Sequence, residues 1–266
     1  EGQGFTPMGN NSIKFTGFYD GDGYTINGLT INRPSTTYNG LFGYTNGSTI
    51  KDLGVVNVNI TGADRTGGLA GWIKSNTTIN NCYTTGNITG TRLVGGLVGM
   101  VDDSSTVNNC YSTSDVNGSG NVIGGLVGKN ISSSVSNCYS TGSVTGTNFV
   151  GGIIGSSSGG YAVSGLFWNI DDFSTDNGIG TGITTMEMMD AYTFCFAGWD
   201  FEEDENGNDN GTTGGTNGNG TDNWWDMVQD GNHYPVLSWQ NGDTVLVTDL
   251  TNECLTDNGG CGDPTY

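Results

Sequence analysis

A tetrapeptide of the form Gly-Leu-apolar-Gly recurs down the chain. It occurs as GLFG at 40–43, GLAG at 68–71, GLVG at 96–99 and 125–128, and GIIG at 152–155, in steps of 28, 28, 29 and 27 residues. A second segment follows each copy: IKDLGVVNVNITG, INNCYTTGNITG, VNNCYSTSDVNG, VSNCYSTGSVTG and a degenerate VSGLFWN. Polar turn residues such as KSNTT, DDSST and NISSS lie between them. Each repeat reads as two or three short strands separated by turns, with no 3.6-residue helical period. One such unit cannot bury its apolar side alone, so successive units must stack coil over coil with their strands parallel. The expected fold is an all-β parallel β-solenoid, or β-helix, of about five coils with a small capping segment. At about 4.8 Å per coil it rises roughly 24 Å.

The register can be read from side chains. Cys82, Cys110 and Cys138 are spaced by 28 and 28, and Leu53 and Leu166 align with them in the flanking repeats. A slot that takes either Leu or Cys is an apolar core slot, so free buried thiols are expected. The alternatives are zinc, which three stacked sulfurs without a partnering His or acid serve poorly, and a disulfide between adjacent coils, which cannot pair all three. Leu41, Leu69, Leu97, Leu126 and Ile153 should point inward as well. Tyr83, Tyr111, Tyr139 and Phe167 each follow a ladder residue and should form an aromatic column, a packing feature rather than a sugar platform. Gly67, Gly95, Gly124 and Gly151 fit corners where a side chain would clash or φ is positive.

Composition agrees with a solenoid. The 266 residues include 48 Gly and 4 Pro, and charged residues make up 13%, about half the usual share. No apolar run reaches the length of a membrane span, which predicts no direct membrane insertion, and the opening EGQGFTPMGN lacks signal-peptide character, as in a mature or truncated chain. Helix is expected only near Thr184, in TTMEMMDAYTF, where a Thr cap, a Glu and several Met meet; it would cover the open end of the last coil.

Charge is distributed unevenly. Residues 1–170 hold all seven bases and eight acids, whereas 171–266 hold nineteen acids and no base. A net charge of −20 repels phosphates, which argues against nucleic acid and anionic lipid as partners. The acids serve either as solubilising surface or as ligands for divalent cations.

The motifs GGLVG and NCYSTG, a dozen residues apart, resemble the GLUG-motif repeats of large secreted and surface-attached bacterial proteins. FTPMGNNSIKFTGFYDGDGYTINGLTIN resembles the first coil of that family, and TGITTMEMMDAYTFCFAGWDF with HYPVLSW its closing segment. The resemblance implies haemagglutinin-like adhesins, surface proteins, or regions beside the catalytic part of IgA-specific peptidases, with no catalytic residue in the repeat. It also implies a strand ahead of FTPMG, hence a piece of a longer protein. TNECLTDNGGCGDPTY resembles the start of an EGF-like module, incomplete with only Cys254 and Cys261, which implies an oxidising, extracellular setting. Four regions are expected: an opening coil (1–39), the GLUG-repeat solenoid (40–170), a cap with an acidic Gly/Asn-rich loop (171–246), and the EGF-like start (247–266).

Candidate sites are few. His233 is the single histidine and reads as a residue of the closing strand, and no HExxH, GxSxG or Walker motif occurs. The acids of the coils are Asp52, Asp64, Asp102, Asp103 and Asp115, of which Asp102 and Asp103 are adjacent in a turn. Between 200 and 226 the acidic loop offers Asp200, Glu202, Asp204, Asn206, Asn208, Asp209 and Asp222 as oxygen ligands suited to Ca²⁺, although the spacing is not an EF-hand and also suits a disordered insertion. Nine Asn-x-Ser/Thr sequons occur, including Asn76 and Asn130. Two functions of different class follow. One is a non-catalytic structural or adhesive module of an extracellular surface protein or filament, whose partners are further copies, other surface proteins or glycans. The other is a polysaccharide-binding or polysaccharide-cleaving solenoid, or an accessory region of a secreted peptidase.

Overall fold

A computed structural model describes residues 2–159, 162–173, 177, 179–190, 193–194, 197, 199, 225–226, 234–237 and 240. The chain divides into two compact units, Glu1–Ile183 and Thr184–Tyr266. The first is the expected parallel β-solenoid of about five coils. Its strands form three sheets. The largest has eleven strands and contains Thr49–Thr61, Thr78–Gly90, Thr106–Ser112, Ser134–Ser140 and Val163–Asn169. The second stacks Phe42–Asn46, Ala70–Lys74, Val98–Asp102, Val127–Ile131 and Ile154–Ser158, and the third stacks Asp64–Thr66, Arg92–Gly95, Asn121–Gly124 and Asn148–Gly151. Thr181–Ile183 adds a parallel strand beside Phe167–Asn169.

The inward column is complete. Leu53 lies opposite Cys82, Cys110 opposite Cys138, and Cys138 opposite Leu166. All five are buried, and so are Leu41, Leu69, Leu97, Leu126 and Ile153. The three thiols are free. Next to them, the rings of Tyr83, Tyr111 and Tyr139 stack with centroids 4.8 Å apart at each step, and Phe167 lies in register with Tyr139. The column starts on Gly54, where a Cβ would come within 2.6 Å of the Tyr83 ring.

Between the inward Ile50 or Ile79 and the Leu/Cys slot, each strand kinks through one residue of positive φ: Asp52, Asn81, Asn109 and Asn137. Asp and Asn tolerate this left-handed conformation better than other side chains, and it resets the strand's two-residue alternation. At another corner the same conformation is imposed on bulky residues: Tyr38, Arg65, Leu93, Val122 and Phe149 have φ of 64, 56, 55, 68 and 52°. The last glycine of the tetrapeptide makes room for this corner. A Cβ on Gly71 would sit 2.7 Å from the Tyr38 Cα. The paired glycines are required by crowding rather than by φ: a Cβ on Gly96 would meet both Gly125 O and Ser112 Oγ at 2.1 Å.

The turns hold a column that looks solvated in the sequence. Ser48, Thr77, Ser105 and Ser133 are buried. Thr77 N–H donates to Ser105 Oγ at 3.2 Å and Ser105 N–H to Ser133 Oγ at 3.1 Å, while Ser105 Oγ donates to Asp102 O at 2.7 Å. The hydroxyls of Thr77, Ser105 and Ser133 thereby each satisfy a buried amide of the neighbouring coil. In the second unit, Thr184 caps the single-turn helix Thr185–Met188 with a capping box to Glu187.

Replacing Ser105 by Ala leaves the buried Thr77 amide without its acceptor and should cost about 1–3 kcal/mol, while Ser104→Ala, exposed in the same turn, should stay within about 0.5 kcal/mol. Denaturant melts of the two variants check this. Cys110→Asp places an unpaired carboxylate in the apolar column and should cost at least about 4 kcal/mol, and a melting temperature equal to wild type would show that the column is not load-carrying core.

Candidate functional site

The solenoid surface is assembled from columns one coil apart, and most of them satisfy themselves. Asn108 Nδ2 donates to Asn80 Oδ1 at 3.4 Å, and Ser136 Oγ to Asn108 Oδ1 at 2.8 Å. Ser143 donates to Asp115 Oδ1 through both its backbone N–H and its Oγ, at 3.0 and 2.6 Å. In the tyrosine column the faces of the rings are spent on one another, so those faces are not free to carry a sugar.

Carboxylates are handled in the same way. Lys51 Nζ lies 2.9 Å from Asp20 Oδ2 and 2.6 Å from Asp52 Oδ2. The hydrogen bond from Lys51, helped by the Asp22 amide, holds the Asp20 carboxyl below its ordinary range, and the two carboxylates raise the Lys51 ammonium. A lowered carboxyl is the wrong state for a general acid. The adjacent acids of the turn are tied down separately: Asp102 faces Lys74 at 3.9 Å, and Asp103 accepts from Ser75 Oγ at 3.0 Å. Asp172 is pushed upward by burial and by the charges of Asp171 and Asp115, and Asn169 Nδ2 donates to it at 2.8 Å.

The thiols are chemically quiet. Burial raises Cys82 and Cys110 well above the ordinary thiol range, and each Sγ–H donates to a carbonyl two residues back, at 3.2 and 3.0 Å. Among the described residues no three His, Cys, Asp or Glu side chains gather to hold a metal. The Ca²⁺ ligand set Asp200, Glu202, Asp204, Asn206, Asn208, Asp209 and Asp222 lies outside the described residues, as do His233 and the EGF-like Cys254 and Cys261. Of the sequons, Asn130 is buried, its amide donating to Ser133 O at 2.9 Å and Ser157 Oγ at 3.2 Å, whereas Asn76 is exposed. No helix among the described residues is long and apolar enough to cross a membrane.

One lateral face gathers cations and rings, which sequence reasoning missed. Tyr44 and Trp72 stack at 4.4 Å, and Tyr38 lies against both. The Arg65 guanidinium lies 4.9 Å from the Trp72 ring and 5.6 Å from that of Tyr38; Lys74 is 5.4 Å from Trp72 and Lys14 is 5.5 Å from Tyr44. Asp64 pairs with Arg65 and, at 3.1 Å, with Arg92, whose guanidinium it raises. Register carries the face onward through Met100, opposite Trp72, to Lys129. These bases are far apart in sequence, and the one clue was that Arg65 and Arg92 are separated by nearly one repeat.

Residues 119–145 match the family described as the GLUG motif. Over 71 residues, 26% of this chain, the sequence is 44% identical to halomucin of Haloquadratum walsbyi, of which that stretch spans 1%. A crystal structure described as a "putative immunoglobulin A1 protease" from Bacteroides ovatus is similar at 23% identity and a TM-score of 0.44, over 56% of this chain and 50% of that one. The chain thus spans a small part of the curated relative and half of the solved one.

Lys51→Met should let Asp20 titrate closer to the ordinary 3.8, whereas in wild type it titrates lower. Any stability that Asp20 ionisation contributes is present above its unfolded value and is lost as pH falls through the depressed folded value. Carboxyl-detected NMR titration of the two proteins measures the shift, and an Asp20 midpoint unmoved by the substitution would refute the pairing.

Proposed function

We propose that the chain is a non-catalytic structural or adhesive module of a larger extracellular surface protein or filament. The observation that carries this reading is that the columns of the coils, buried and exposed, satisfy themselves. Tyrosine faces, amide columns and turn carboxylates are engaged by their neighbours one coil away, an arrangement that builds a rigid, repeatable body. The GLUG motif and the identity with a stretch of halomucin support placing it in a surface protein. Free thiols sealed in the core are compatible with an oxidising exterior, because burial withholds them from solvent oxidants and, at Cys82 and Cys110, disfavours the thiolate. The partners of such a module are further copies, other surface proteins or glycans.

A reducing-sugar assay over a panel of neutral and acidic polysaccharides, run alongside a glycan array, tests this. The expected outcome is no release from any polymer. Turnover of even one substrate, abolished by Asp172→Asn, would replace the module with an enzyme.

A further inference from the structure

We infer that the cationic face of the solenoid is an interface for the acidic carboxy-terminal stretch of a second copy of this chain. The inference rests on the reading of the chain as a structural module, and it names one partner. Five of the seven bases lie on that face: Lys14, Arg65, Lys74, Arg92 and Lys129. The face is continuous, running from Lys14 over Tyr44 to Trp72, from there to Lys74 and Arg65, and through Asp64 to Arg92. The acids within it are Asp64, Asp102 and Asp103, so it remains positive on a chain of net charge −20. Two of its donors, Arg65 Nε and Trp72 Nε1, are buried without an acceptor. A carboxylate drawing the guanidinium outward would provide one.

The complementary charge is present in the same sequence, since residues 171–266 hold nineteen acids and no base. Two copies nevertheless carry a large like charge, so range decides which effect wins. At about 0.15 M salt the Debye length is about 8 Å, and a docked acidic segment feels the local cations more than the distant net charge. At about 0.01 M it is about 30 Å, and whole-chain repulsion dominates; at about 1 M it is about 3 Å, and the pairing itself is screened. Association should therefore pass through a maximum as salt is raised, unlike a plain hydrophobic contact, which salt strengthens.

Sedimentation velocity of the full chain at these three salt levels, from micromolar to millimolar protein, provides the test. Wild type should associate most at the middle level. Lys74→Glu with Arg92→Glu should raise the apparent dissociation constant at least about tenfold. A second pair, Lys14→Glu with Lys129→Glu, breaks no ion pair among the described residues and should do the same with an unchanged melting curve. Arg33→Gln, a base bound to Gln3 and Thr6 and outside the chain of contacts that links the face, should change nothing. A monomer at every concentration, or association untouched by both reversals, overturns the interface. So does a monomeric chain that binds immobilised polygalacturonate through these lysines and arginines, which would assign the face to an acidic polysaccharide. Release of sugar from a polymer would sink the structural-module reading and leave the association result standing, so the two failures are separable.

Discussion

Every residue of a parallel, in-register coil sits directly beneath its counterpart in the next, about 4.8 Å away. Each sequence position therefore belongs to a column, and the column must tolerate itself. Tyrosine rings tolerate this by stacking, and thiols and leucines by packing. Hydroxyls succeed because each can accept from one coil and donate within its own, as Ser105 does. Charges do not tolerate it, because like charges at this spacing repel. In the register, Asp20 is accordingly set against Lys51 and Asp64 against Arg92. The sparse charge of the composition, 13%, follows from the same rule.

The apolar columns were legible from spacing alone, because Leu and Cys share the property that decides burial and 28-residue steps have no helical explanation. The hydroxyl column was not legible. In KSNTT, DDSST and NISSS the inward residue is chemically indistinguishable from its solvated neighbours, and only the amide it receives from the adjacent coil distinguishes Ser105 from Ser104. The kink at Asn81, Asn109 and Asn137 was written as an Asn before each Cys, but its meaning depends on φ, which sequence carries only as a preference. The cationic face was the least visible, since Lys14, Arg65 and Lys129 are brought to one side by stacking of the coils and share no local motif. The thiols were legible from their spacing as free and buried, and they are.

Function follows from what the columns leave over. Columns whose hydrogen bonds and ring faces are engaged by the next coil have little to offer a small ligand, and what stands out beside them is charge: a local cationic face on a nearly charge-balanced stretch, residues 1–170, and nineteen unopposed acids in residues 171–266. The pairing proposed between them would be soft, salt-tuned and tolerant of register, properties that suit contacts between large surface assemblies.

The column of Leu53, Cys82, Cys110, Cys138 and Leu166 has a genetic consequence as well. A unit whose upper face accepts the same neighbour as its lower face can be copied or deleted in frame without redesigning any contact. Recombination between the coding repeats would then change the length of the solenoid in whole coils. Each duplication would insert one more interchangeable rung while the two ends kept their own sequences.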